Sequence, residues 1–264
     1  MKLGCCVGML SKTKERVGDE IIPIFEKMGY DYVELPLAQV MALSDEAFLR
    51  MNKNIKSFKI PIEACNNFFP PSVRLTGEEA TTEKILEYVR TATDRAAQMG
   101  VRVIVLGSAG AKNIPQGFPV EEARKQFISV LRGIQPILEP LDITVVLEPL
   151  NSQESNFIIT AKEGLTLMKE ADCKNVKLLI DYYHLRMENE HLDIVKEAGD
   201  DLRHVHIAAK TGRRSPQEGD GEDYGGFFAM LKSTGYDARV SIEGFMRDVA
   251  VDGKASCDFL RGFM

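Results

Sequence analysis

From end to end, the sequence alternates between short β-branched apolar runs and longer stretches with apolar residues every three to four positions. This alternation constrains the fold more than any other property of the chain. The runs read as strands are Lys2–Val7, Tyr32–Leu35, Ser57–Ala64, Arg102–Leu106, Ile143–Leu147, Val176–Ile180, His204–Ala208 and Val240–Glu243. Helical patterns lie at Val17–Met28, Asp45–Asn54, Thr81–Met99, Val120–Leu138, Ala161–Ala171, His191–Ala198 and Gly226–Thr234. Ser44 ahead of Asp45 and Glu46 is a helix start signal, and Gly29 and Gly100 are stop signals. Parallel strands need crossover connections, so the pattern implies an α/β chain with a parallel sheet and helices outside it. Eight units in 264 residues average 264/8 = 33 residues each, which fits a (β/α)8 barrel of roughly 250 residues. A doubly wound open sheet is the alternative. Gly4, Gly8 and Gly18 lack the GxGxxG spacing that such sheets carry after the first strand, and no GxxxxGK[ST] occurs. No linker or low-complexity segment divides the chain, so residues 1–264 are read as a single domain.

The 33 basic and 39 acidic residues leave a net charge of −6, which disfavours nucleic acid and anionic membrane as partners. No apolar run approaches the ~20 residues of a membrane span. Ser11, Lys12 and Lys14 arrive too early for a signal peptide, so a cytoplasmic location is expected. Cys5, Cys6, Cys65, Cys173 and Cys257 show no CxxC spacing and are read as free thiols. Adjacent Cys5 and Cys6 point to opposite faces of a strand and are read as small buried hydrophobes.

Chemistry in a (β/α)8 barrel sits at the C-terminal ends of the strands. Four consecutive strands here end in ionisable residues. ITVVLEPLN supplies Glu148, VKLLIDYYH supplies Asp181 with His184 beyond it, HVHIAA supplies His204 and His206, and VSIEGF supplies Glu243. Adjacent strands of a closed barrel would bring these groups to one mouth. Three carboxylates and an imidazole form an oxygen-rich set suited to one divalent metal ion, Mn2+, Mg2+ or Co2+, with Zn2+ less favoured. Clustered like charge repels itself unless a cation or proton neutralises it. His204 lies deeper than His206 and is read as packing or hydrogen-bonding behind the ligands. Glu34, Glu63, Asn66 and Asn67 fall near the ends of the second and third strands and are read as pocket-lining. Phe68 and Phe69 have two readings, as an apolar wall of the pocket or as part of a Pro-bounded loop packed on the rim.

The segments LEPLNSQES, IDYYH, HVHI with RRSP after it, and VSIEGF resemble the metal site of the xylose isomerase-like TIM barrels. Within that group they are most similar to the D-tagatose and D-psicose 3-epimerases and the hydroxypyruvate isomerases. The resemblance is specific over Leu147–Phe245 and architectural before it. It implies a metal held by Glu148, Asp181, His206 and Glu243, and substrate contacts from His184, Glu154 and Arg213. It also implies a homo-oligomer, dimer or tetramer. The chain departs from the epimerase pattern at Ala208-Ala209 and at Gly244, where the epimerases often have Pro.

A glutamate that binds a metal through one oxygen keeps the other free to accept a proton, so Glu148 and Glu243 are read as the catalytic pair of an isomerase. One removes a proton α to the carbonyl of a ketose or small keto-sugar through an enediolate, and the other returns it. Return to the opposite face makes an epimerase, whereas return to the neighbouring carbon makes an aldose–ketose isomerase. A metal-dependent lyase acting on an oxidised sugar and a catalytically silent sugar-binding barrel are the alternatives. A DNA-repair endonuclease of this fold would need several more histidines than the four present.

Overall fold

Runs such as VIVL and TVVL offer no polar face to solvent, so their strands must be covered on both sides. The computed structural model, covering residues 1–264, meets this by closing the sheet on itself. Strands β1 (Lys2–Cys6), β2 (Tyr32–Pro36), β3 (Ile62–Asn66), β4 (Val103–Leu106), β5 (Thr144–Leu147), β6 (Val176–Asp181), β7 (Leu202–Ile207) and β8 (Arg239–Ile242) pair in chain order, all parallel, and β8 returns to β1. Around them run α1 (Ile22–Met28), α2 (Leu37–Met41), α3 (Asp45–Ile55), α4 (Thr82–Met99), α5 (Ala109–Lys112), α6 (Val120–Leu138), α7 (Ala161–Ala171), α8 (Tyr182–Met187), α9 (Ile194–Ala198), α10 (Tyr224–Ser233) and α11 (Val249–Arg261). The chain is a single (β/α)8 TIM barrel. No helix is long and apolar enough to cross a membrane.

Period-two alternation along the strands builds two cores. Residues facing outward join the helices in a cluster of 69 buried side chains, while Tyr32, Ala64, Val103, Val105, Val146 and Leu179 fill the barrel interior separately. Asn66, Glu148 and Asp181, the next inward positions after Ala64, Val146 and Leu179, are polar and reach the mouth. Local signals act as expected. The Ser44 hydroxyl caps α3 by accepting from Ala47 N, and Gly29 and Gly100 terminate α1 and α4 in left-handed conformation.

The short helices α2, α5 and α8 lie outside the helical patterns read in the sequence, and β3 and α11 also differ from expectation. β3 begins at Ile62, not Ser57, because Ser57 and Phe58 close the turn after α3 through hydrogen bonds to Asn54 O and Ile55 O, and Lys59 N donates to Glu26. Glu63 therefore lies at the N-terminal end of the barrel, paired with Lys2 at 2.6 Å and Arg239 at 2.7 Å, and does not line the mouth. α11 is absent from the helical patterns read in the sequence. Its buried face carries Gly253, Ser256 and Cys257, small residues that blur the apolar period.

Candidate metal centre

The barrel's register brings the four strand-end groups together. Asp181 pairs with His206 across β6 and β7, while Glu148 and Glu243 directly follow β5 and β8. Glu148, Asp181, His206 and Glu243 each present one ligand-type atom within 4.8 Å of all the others. His206 Nδ1 stands 3.2 Å from Glu148 Oε1 and 3.3 Å from Glu243 Oε2. Burial, together with the neighbouring Glu148 and Glu243, pushes the Asp181 carboxyl up to about 7 against the pull of Arg213. Burial also raises Glu148. Burial works against ionisation of Glu243 as well, but His206 and Arg213 outweigh it and hold that carboxyl well below the usual range. Three converging carboxylates with one imidazole fit a hard divalent cation, which would relieve their mutual repulsion.

Arg213 closes over this cluster. Its guanidinium reaches Glu243 Oε2 at 2.5 Å, Glu154 Oε2 at 3.2 Å and Asp181 Oδ2 at 3.5 Å, and lies 4.7 Å above the Tyr183 ring. The loop carrying Arg213 is tied to the end of β8, since Phe245 N donates to Arg213 O and Ser215 N donates to Phe245 O. Asn66 Nδ2 donates to Glu243 Oε1 at 2.7 Å, so both oxygens of Glu243 are engaged. Glu148 Oε2, in contrast, faces the gap left by Gly107 and accepts no protein hydrogen bond. His184 is neutral near pH 7, because burial and the positive charge of Arg213 push its pKa down to about 3. Its Nδ1 accepts from Asn151 N at 3.1 Å, which leaves the ring proton on Nε2, a buried donor without a hydrogen-bond partner. Glu154 is held by Asn151 Nδ2 at 3.1 Å as well as by Arg213.

The other mouth residues sort differently. Glu34 lies fully buried beneath the centre, not on the pocket surface, and His204 hydrogen-bonds to it. Asn67 turns away to Gln39 Oε1. Phe68 and Phe69 are buried against each other and Tyr88, which selects the packed-rim reading over the pocket wall. Cys6 faces inward with its Sγ 3.7 Å from His206 Nε2, while Cys5 belongs to the outer core. Sequence reasoning missed Lys112, Asn151 and Gly107. Lys112 on α5 is fully buried, donates to Glu148 O at 2.8 Å, and is lowered to about 7 by burial. A Cβ on Gly107 would fall 2.1 Å from Glu148 Oε2, so the glycine makes the space that carboxylate uses.

Comparison with known proteins shows what the chain is similar to as a whole. The chain is 31% identical over 236 residues to the 3-dehydro-D-guloside 4-epimerase of Escherichia coli, covering 84% of this chain and 85% of that one. It is 26% identical over 232 residues to an L-ribulose 3-epimerase of Methylomonas sp., covering 87% and 79%. The solved structure of the D-psicose 3-epimerase of Clostridium cellulolyticum superposes with a TM-score of 0.85 at 19% identity, covering 100% of this chain and 99% of that one, and so shares the fold. The family model of the xylose isomerase-like TIM barrel matches residues 23–262. With that match over nearly the whole barrel and four convergent strand-end groups at its mouth, the chain belongs to the xylose isomerase-like TIM barrel family.

Proposed function

We propose that this protein is a divalent-metal-dependent epimerase or isomerase of a ketose or small keto-sugar, with Glu148 and Glu243 as its proton-transferring pair. The observation that carries this reading is the convergence of Glu148, Asp181, His206 and Glu243 within 4.8 Å, the two glutamates arriving from opposite flanks of the four-strand arc. The relatives' names describe sugar 3- and 4-epimerases, which supports an isomerase of this class. A cation held by these four residues supplies Lewis-acid polarisation of a substrate carbonyl when bound. Glu148, whose Oε2 is unengaged by the protein, takes the proton α to that carbonyl. Glu243, once Asn66 and Arg213 release one of its oxygens, takes up a proton from solvent and delivers it from the other side, while the proton on Glu148 is lost to solvent. His184 Nε2–H donates to a substrate oxygen and does not act as a base, because its other nitrogen is occupied by Asn151. Arg213 and Glu154 bind substrate hydroxyls at the rim, and Tyr183 supports the guanidinium from below.

The test is turnover of a panel of ketoses and keto-glycosides in D2O, with Mn2+, Mg2+ or Co2+ and with chelator. Deuterium should enter at the inverted or isomerised carbon with the carbon skeleton intact, and only with metal present. Glu148→Gln and Glu243→Gln should each slow turnover by about 10^2- to 10^4-fold. Wild-type rates in both variants would refute the paired-glutamate mechanism, and loss of water from an oxidised sugar would make the protein a lyase.

A further inference from the structure

Beneath the four candidate ligands the barrel encloses a second polar layer built around Glu34. This side chain projects inward from β2 and has no solvent exposure. Its Oε1 lies 3.2 Å from His206 Nε2, and its Oε2 lies 3.0 Å from His204 Nε2 and accepts from Ser241 Oγ at 2.7 Å. Ser241 Oγ is in turn 2.7 Å from Tyr32 OH. The Tyr32 ring fits at this depth only because β1 has a glycine opposite it, since a Cβ on Gly4 would fall 2.3 Å from Tyr32 Cζ. A carboxylate sealed inside a barrel is costly unless it is fully partnered. Three donors from β7 and β8 meet this one, and a glycine on β1 shapes the space beside them.

His206 is consequently gripped at both ring nitrogens. An ionised carboxylate only accepts, so the His206 Nε2 that faces Glu34 carries a proton, and when the ring gives up its other proton to bind a cation the Nε2 proton is the one that stays. The lone pair is then left on Nδ1, the atom that faces Glu148 and Glu243. We propose that Glu34 is the positioning residue of the metal centre, setting the tautomer and ring orientation of His206 from below so that Nδ1 is presented as a ligand. His204 is the second donor that holds Glu34 in place. It is not a ligand itself, since its Nε2 is spent on Glu34 and its Nδ1 has no partner. The inference rests on reading the mouth as a divalent-cation site.

The experiment is calorimetric titration of Mn2+ into chelator-treated protein, with near-ultraviolet circular dichroism to show that each variant is folded. Glu34→Gln keeps size and shape but removes the charge and one of the two acceptor oxygens, so one of the imidazole Nε2–H groups meets an amide N–H. It should weaken Mn2+ binding by about 10- to 100-fold. Glu34→Asp, which keeps the charge, should recover part of that loss, and Ser241→Ala, which removes one donor, should lose less than Glu34→Gln. If wild type binds no divalent cation, the cation reading itself fails. If wild type binds Mn2+ and Glu34→Gln binds it equally tightly, only the positioning role fails. Should Glu34→Gln not fold, unaltered Mn2+ affinity in both Glu34→Asp and Ser241→Ala overturns the proposal. A thiolate-to-metal charge-transfer band in the Co2+-loaded wild type would place the cation at Cys6, Glu34 and His206, and would overturn it also.

Discussion

At the scale of single residues, the centre depends on small side chains as much as on charged ones. Gly107 has an ordinary backbone conformation, and the only severe obstacle to a methyl group there is the Glu148 carboxylate at 2.1 Å. Gly107→Ala should therefore fold normally and displace that carboxylate. We expect turnover to fall by about 10- to 100-fold, the scale of a misplaced reacting group, with a melting temperature in chelator close to wild type. Wild-type turnover would show that Glu148 has another pose available. Gly107 and Lys112 were not legible in the sequence because what each does depends on Glu148, 36 or more positions along the chain, and in the case of Lys112 on a main-chain carbonyl. Asp181 and His206 were legible as a pair because each sits at the end of its own apolar run. Glu34 reads as pocket-lining when the second strand is ended at Leu35, but β2 runs on to Pro36 and leaves Glu34 beneath the rim.

At the scale of elements, the last helix closes the barrel through contacts its own sequence does not announce. Arg261 of α11 pairs with Asp31 Oδ2 at 2.8 Å, which also accepts from Leu3 N at 2.7 Å, and Tyr30 OH donates to Gly253 O. Burial opposes ionisation of Asp31, but Arg261 and the Leu3 amide outweigh it and lower its pKa. A depressed carboxylate stabilises the fold above its unfolded pKa of about 3.9 and loses that contribution as pH falls through the folded value. Asp31→Asn should cost up to about 1 kcal/mol at pH 7, a figure reduced for the partial exposure of the pair. The difference from wild type should shrink progressively as pH falls below the unfolded pKa. Urea midpoints compared at neutral pH and near pH 3 check this, and a pH-independent difference would contradict the linkage. The same scale explains the misplaced β3, since Ser57–Ile60 carry strand-like residues but are committed to the turn after α3.

At the scale of the whole molecule, four strands contribute three carboxylates and an imidazole to one mouth, and the folded chain alone assembles them. A cation that binds only the assembled centre stabilises the fold by mass action. Saturating Mn2+ should raise the melting temperature relative to chelator by on the order of 10 °C, from roughly 4 kcal/mol at a thousandfold excess over Kd. Identical thermal scans with Mn2+, Mg2+, Co2+ and chelator would argue against a cation site. The alternation pointed to a parallel sheet covered by helices, and eight units of about 33 residues with no Gly-rich phosphate loop favoured a closed barrel over a doubly wound open sheet. The order of strands around the barrel and the four polar strand ends followed from the same pattern. Only the tertiary structure decided that Glu34 lies beneath the mouth, that Arg213 reaches three carboxylates, and that Glu34 meets both histidines. Those outcomes depend on register between strands and on space left by glycines on neighbouring strands, and no local stretch of sequence encodes either.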